Sequence, residues 1–431
     1  MPKKISRKYI LYVGEMKEWG DSLQQYVAEH KLPWKFVSIV SKSIDKEPLP
    51  ETDLFREIRI DFNSSTEIKE VIDELGTKLI AAVNRNEREI PNFQKLIPHL
   101  PKRLLVPSVD ALTKATHKPE MRKAFWKYDK SITPKFEIID AATKEVTKKI
   151  ISRLEFPMII KPAGLAQAVL VQAAHYPEEL ESILKTVFRK MKKIYKEMKG
   201  RGTPKILVEE IIEGDQYSVE AFVDAHGAIY FCPFIKYITS GQKGFDDFFS
   251  YEQSTPATIS KESIVKAKEV ASKGIHALGL KNSVAHIEMI RRDGQWYIIE
   301  IGPRIGGFRE TMYKKSFDID LGIQDIRNHL GKTPKIPRVK KGYTSVIKFF
   351  SKKEGIITKI TGIKKAQLLP SFYEILQLTY KGEKAVFAKN GGVYVFRITL
   401  FSKDKSQLVE DKRKLEKMVN IETTRTRKKK V

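Results

Sequence analysis

The chain has 431 residues, 41% of them hydrophobic, a single cysteine and a formal net charge of +26. That size and apolar content predict two to four packed units, and one cysteine, Cys232, excludes an intrachain disulfide and suits a reducing compartment. No apolar run approaches the roughly 20 residues of a membrane span, and residues 1–7 are basic without the apolar segment of a signal peptide, so a cytoplasmic location is expected.

Residues 9–13, 34–40, 55–60 and 78–83 read as strands, with helices at 17–30 and 66–75 between them. This is the pattern of an open α/β sheet that binds ligands beyond its strand ends. Gly14 after the first strand lacks the further glycines of a dinucleotide fingerprint, which argues against nicotinamide or flavin. Residues 84–89, polar and charged, leave the fourth strand either toward a ligand or as a solvated loop. Ser108 is placed to cap a helix, and a second helix opens at 116–122, with Lys118 beside its start.

A strand at 156–161 ends in Lys161-Pro162, where the proline stops the ladder and leaves an ammonium at the strand mouth. The loop 163–169 holds one glycine, Gly164. Residues 177–198 form a lysine-rich helix with Leu180, Ile183, Leu184, Val187, Met191 and Ile194 on one face. The strand 205–212 contains Glu209, Glu210 and Ile212, and Gln216 lies in the turn that enters the next strand. In the loop 241–253, Phe245, Phe248, Phe249 and Tyr251 either line a pocket or staple the loop to the sheet, and the staple is preferred. Ser260 caps a helix that runs to Leu278 and ends at Gly279.

The densest stretch is 284–309. Two strands flank Arg292-Asp293-Gly294, and Glu288 and Glu300 stand twelve residues apart. Side chains alternate along a strand, so a loop of odd length sets both acids on one face and a two-residue loop separates them. A three-residue loop with Gly294 left-handed is therefore expected. Two converging carboxylates call for a cation, and hard oxygen ligands suit magnesium arriving with substrate phosphates. The alternative is that both acids face solvent. Arg304 then offers a fork for phosphate oxygens, and Gly306-Gly307 lets backbone approach a ligand. His286 shares a face with Glu288, as a metal or substrate contact or, preferably, as a satisfied structural histidine. Arg309 either clamps a substrate carboxylate or pairs with Glu310.

Glu288, Glu300, Pro303, Arg304, Gly306 and Gly307 together resemble the ATP-grasp superfamily, whose second metal strand ends in Glu-x-Asn-Pro-Arg or a close variant. Gly302 departs from it, standing where many members have a metal-binding Asn. The resemblance implies that Lys118 and Lys161 hold nucleotide phosphates, that Glu209 and Glu210 hold adenine with Ile212 against the ring, and that Gln216 replaces a ribose-binding acid. It also places 163–169 where relatives carry a glycine- and serine-rich flap. The implied fold is α/β and α+β: an N-terminal open α/β domain (1–115), an ATP-grasp domain (116–335) with a lid at about 155–210 and an antiparallel core sheet, and a small C-terminal α/β domain (343–422). A Pro- and Lys-rich linker precedes the last domain, and a basic tail, 423–431, follows it.

The implied activity is ATP-dependent carboxylate–amine ligation through an acyl phosphate, as in L-amino-acid ligases with a biotin-carboxylase-like core. ATP and Mg²⁺ (or Mn²⁺) are the implied cofactors, with Glu288 and Glu300 on the metal, Arg304 and Lys161 catalytic, and Arg309 and His286 toward the substrate. Small carboxylates and amines, amino acids or peptides, are the expected partners, and a dimer is compatible. A relative that carboxylates biotin would share these motifs, but the chain lacks the lysine motif of a biotin carrier. The rival of another class is an ATP-binding protein with weakened catalysis and a regulatory or nucleic-acid-associated role. The basic clusters at 190–205, 338–353 and 425–430 carry no zinc, helix-turn-helix or RNA-recognition motif beside them, so nucleic acid is not the favoured partner.

Overall fold

The computed structural model describes residues 7–16, 18–163, 170–197, 205–245, 249–337, 339–387 and 392–424. The flap stretch 164–169, Phe248 and the tail 425–431 lie outside them.

The chain opens with β1 (Lys8–Val13), α1 (Glu18–Glu29), β2 (Trp34–Ser41), β3 (Phe55–Ile60), α2 (Ser65–Leu75) and β4 (Leu79–Asn84). The strands form a parallel sheet in the order β3-β2-β1-β4. β1 reads as an unbroken apolar run because both its faces are covered. Leu11 and Val13 join the core with Phe62, Ile68 and Leu75, while Ile10 and Tyr12 join the one with Leu23, Val27 and Phe36. The Ser64 hydroxyl caps α2 by accepting the Glu67 amide at 3.2 Å. β4 delivers Arg85 and Glu87 to the centre of the molecule.

Next come α3 (Ile90–Leu96), α4 (Val109–Thr116) and α5 (Lys118–Tyr128), then β5 (Phe136–Ile139), α6 (Lys144–Ile151), β6 (Met158–Pro162), β7 (Gln172–Ala174), α7 (Pro177–Glu197) and β8 (Ile206–Glu210). Ser108 caps α4 through the Ala111 amide. β5 to β8 form an antiparallel sheet in the order β5-β8-β6-β7. Its core holds Leu180, Leu184, Val187 and Met191, the apolar stripe of α7, together with Ile150 of α6. This lid sheet starts at Phe136, ahead of the expected boundary near 155, because β5 supplies its edge strand.

The remaining elements are β9 (Asp215–Val223), β10 (Ile229–Phe231), β11 (Ile235–Thr239), β12 (Ser250–Thr255), α8 (Lys261–Leu278), β13 (Ser283–Arg292), β14 (Gln295–Gly302), α9 (Arg309–Phe317), α10 (Leu321–His329), β15 (Tyr343–Phe349), β16 (Gly355–Thr361), α11 (Ile363–Ala366), β17 (Phe372–Gln377), β18 (Lys384–Ala385), β19 (Phe396–Ser402), α12 (Lys405–Met418) and β20 (Asn420–Thr424). An antiparallel sheet runs β14-β13-β9-β11-β12-β15-β19-β17, with β10 on β9. The C-terminal strands β15, β19 and β17 therefore continue the central sheet, and β18-β16-β20 form a small sheet beside them. Thr423 and Thr424, assigned to the tail by sequence, belong to β20, which hydrogen-bonds to β16.

The aromatic loop is a staple. Phe249 stacks on Phe350 with ring centroids 3.5 Å apart, and Phe245 packs on Phe249 and Tyr251. Among the described residues no helix is long and apolar enough to cross a membrane.

Candidate active site

The hairpin β13–β14 turns in two residues. Arg292 pairs with Gln295, and Asp293 and Gly294 are both left-handed at φ 51° and 79°. This corrects the expected three-residue loop, and an uninterrupted register from such a turn would set Glu300 opposite Ile287, on the wrong face. A β-bulge restores the parity: Met289 faces Ile298 but Glu288 faces Glu300, leaving Ile299 as the extra residue. Glu288 and Glu300 are thus direct cross-strand partners on one face, while Ile287, Met289, Ile298 and Ile301 fill the core on the other.

The bulge has its own fastener. Buried Arg122 of α5 donates to the carbonyl of Ile299 at 2.7 Å and to that of Ile298 at 3.4 Å, and its Nε pairs with Glu209. Lys161 holds the other Glu209 oxygen at 2.6 Å. Burial pushes the Glu209 carboxyl up, but Arg122 and then Lys161 outweigh it and bring it down to about 2. Glu210, one residue on, points to the other side of β8 and accepts the Lys135 amide at 2.9 Å. Side chains of two consecutive strand residues do not converge on one ligand, so only Glu209 lies with the lysines. Ile212 is buried just beyond β8, and Gln216 of β9 pairs with Ile290 of β13, on the Glu288 face.

Cations surround the acid pair. Lys118 Nζ lies 3.1 Å from Glu300 Oε2; burial depresses its pKa, but Glu300 and Glu87 outweigh that and raise it. Arg304 is held by Glu87 through Nη2 at 2.7 Å and Nε at 3.1 Å. Burial lifts the Glu288 carboxyl, but His286, Arg309 and Arg304 carry it down to about 2. His286 bridges Glu220 at 2.5 Å and Glu288 at 3.4 Å. Burial disfavours its charged form, yet Glu220 wins and raises its pKa. The preferred structural role of His286 and its contact with the acid pair coexist.

Arg309 is buried and makes no pair with Glu310, which binds Arg85 at 2.5 Å instead. Its guanidinium donates to Gln253, Tyr237 and Ser218, and Glu220 lies 3.5 Å from its Nε. Gly306 is required here: a Cβ would stand 2.6 Å from His286 Nδ1 and 2.9 Å from Arg309 Cγ. The Gly306 amide donates to Glu220 at 3.1 Å.

Sequence reasoning did not single out Arg122, Glu87, Glu220 or Tyr237 as site residues. For Glu220 a signal existed, since Gln216, Ser218 and Glu220 alternate onto the Glu288 face; Glu87 falls in the polar stretch 84–89 left open between a ligand contact and a solvated loop, and it pairs with Arg304.

Among the described residues no three His, Cys, Asp or Glu converge as a metal cage. Two opposed carboxylates still fit Mg²⁺, which keeps its waters and binds through one or two carboxylates plus substrate phosphates. Glu288 and Glu300 would hold it.

Residues 154–312 match the family model of the ATP-grasp domain. The chain carries an ATP-grasp domain. It is similar in fold to the L-amino acid ligase from Bacillus licheniformis, with a TM-score of 0.73 and 16% identity, covering 97% of this chain and all of that one. It is 23% identical over 291 residues to formate-dependent phosphoribosylglycinamide formyltransferase from Sulfurisphaera tokodaii, covering 66% of this chain and 68% of that protein. A 177-residue stretch is 24% identical to uncharacterized protein y4rH of Sinorhizobium fredii, covering 41% of this chain and 35% of that relative's length. The ATP-grasp hairpin, lid sheet and central sheet described above are thus the parts of a known architecture.

Proposed function

We propose that this ATP-grasp protein is a carboxylate–amine ligase that forms an amide bond and releases ADP and phosphate. The observation that carries the reading is the cross-strand pair Glu288–Glu300, with Lys118, Arg304 and Arg309 around it. A substrate carboxylate oxygen attacks the γ-phosphorus, the bond from that phosphorus to the bridging oxygen breaks, and ADP leaves. An amine then attacks the acyl carbon, phosphate departs, and the amine nitrogen loses a proton.

The chemistry spreads negative charge over transferring oxygens, so positioned cations supply most of the acceleration. Glu288 and Glu300 would hold Mg²⁺ or Mn²⁺, which would supply positive charge to the nucleotide phosphates. Lys118 and Lys161 stand ready for the phosphate tail, each resting on a carboxylate, Glu300 and Glu209. Arg304, resting on Glu87, is the group to steady the acyl phosphate once that contact opens. The fold likeness to an L-amino acid ligase supports amino acids or peptides as substrates, with both reactants small molecules.

ADP release over pooled amino acids tests the reading. Release should require both a carboxylate and an amine, and Glu300→Gln should lower it by roughly 100-fold, the scale of removing one charge-stabilising group. Nucleotide binding without turnover on any pool, or release indifferent to Glu300→Gln, would favour an ATP-binding protein that does no ligation.

A further inference from the structure

Beyond the acid pair, three cations gather around one ring. Phe308 has a left-handed backbone at φ 47°, a conformation that side-chain-bearing residues adopt at a cost and that clusters at functional sites. Its ring centroid lies 5.2 Å from Arg309 Cζ, 5.1 Å from Arg397 Cζ and 5.4 Å from Lys348 Nζ. Lys348 of β15 and Arg397 of β19 are direct cross-strand partners, an arrangement in which like charges repel.

Neither cation is well neutralised. Lys348 Nζ donates to the Ser250 hydroxyl at 3.0 Å and stands 5.9 Å from the Tyr394 ring; among the described residues no carboxylate pairs with it. Among the described residues, the acid nearest Arg397 is Glu374 at 4.0 Å, which already accepts the Thr399 hydroxyl at 3.0 Å. Arg397 Nη1 reaches the Tyr394 hydroxyl only at 3.5 Å, and among the described residues its buried Nε has no hydrogen-bond partner. Burial, then Arg309, and also Arg397 push the Lys348 ammonium down to about 8, against the pull of Glu288. Adjacent uncompensated cations are costly in a folded protein unless an anion settles between them.

The cluster adjoins the reaction centre. The Tyr237 hydroxyl receives Arg309 and lies 3.4 Å from Glu288. We propose that Lys348 and Arg397 bind a second anionic group, carboxylate or phosphate, on a substrate whose reacting end lies beside Glu288. This deepens the ligase reading and rests on it for the word substrate. The chemical class is an acidic amino acid or a phosphorylated one, with Phe308 as the apolar floor between its two ends.

Calorimetric titration of the full chain with O-phospho-L-serine, L-glutamate and L-serine, in the presence of ADP and Mg²⁺, tests it. At least one anionic probe should bind roughly tenfold or more tightly than serine, the scale of a charge-assisted contact. Lys348→Met and Arg397→Met should each remove most of that preference, Lys348→Arg should retain it, and ADP affinity should report that the variants are folded. Preference for phosphoserine assigns a phosphate site and preference for glutamate a carboxylate site. Failure of every probe to bind, equal affinity for serine, or variants that keep the preference would overturn the inference. Anion preference without ADP release on any pool would instead leave the anion site standing and remove the ligase reading.

Discussion

Gly302 shows how much a single position decides. It ends β14 opposite His286, and a Cβ there would meet only Arg304, at 3.8 Å or more, with no left-handed backbone to forbid a side chain. The position is spare room beside the acid pair, in the place where the superfamily motif has an amide oxygen. Gly302→Asn should therefore be tolerated and should lower the Mg²⁺ concentration giving half-maximal ADP release several-fold, as expected when one oxygen ligand is added to a sparse site. An unchanged Mg²⁺ requirement would mean that this side chain does not face the ion. Gly306, four residues on, is the opposite case, because His286 and Arg309 occupy the space a Cβ needs.

At the scale of elements, the lid strands and the hairpin are tied by one buried knot: Arg122 from α5, Glu209 from β8 and Lys161 from β6, with the Arg122 guanidinium continuing to the bulge carbonyls of β14. Glu209→Gln leaves buried Arg122 and part-exposed Lys161 without their acid and should cost about 3–5 kcal/mol of stability, measured by chemical denaturation. The sign with pH follows from the same group. The Glu209 carboxyl falls from an ordinary 4.5 to about 2 on folding, so its contribution is complete above pH 4.5 and is lost as the pH drops toward 2. The variant should lack that acid limb, and an identical acid transition in both proteins would place the charge pairing elsewhere.

These elements also mark what a sequence can say. The hairpin was legible because two runs rich in apolar and β-branched residues, 284–290 and 295–301, flank the turn signal Arg292-Asp293-Gly294. That both acids share a face was legible as well, although by the wrong route. Parity was assigned to the turn, whereas the chain sets it with a bulge at Ile299, whose stabilising partner Arg122 lies some 177 positions away. β5 escaped notice because a four-residue edge strand has too short a pattern to stand out. Lys348 and Arg397 sit in ordinary strands, and only the pairing of β15 with β19 brings them together.

On the scale of the whole molecule, the parallel sheet, the lid and the central sheet each send charge to one place. Glu87 follows β4 and holds Arg304, Arg85 holds Glu310 at the start of α9, and Lys118 opens α5 against Glu300. Under the proposed function, Lys118 and Arg304 rest on acids, Glu300 and Glu87, that a metal ion or a phosphate would join or displace. The C-terminal strands, by continuing the central sheet, put Lys348 and Arg397 next to this convergence.

The proposed ligation requires a divalent ion shared by Glu288 and Glu300. Anomalous diffraction from crystals grown with Mn²⁺ and a non-hydrolysable ATP analogue tests that most directly. A manganese peak should lie within about 2.0–2.2 Å of an oxygen from each carboxylate and of the analogue's phosphates, the range for small divalent ions on oxygen, and should vanish in Glu288→Gln. A nucleotide bound with no metal at these acids, or a peak coordinated by other side chains, would contradict it.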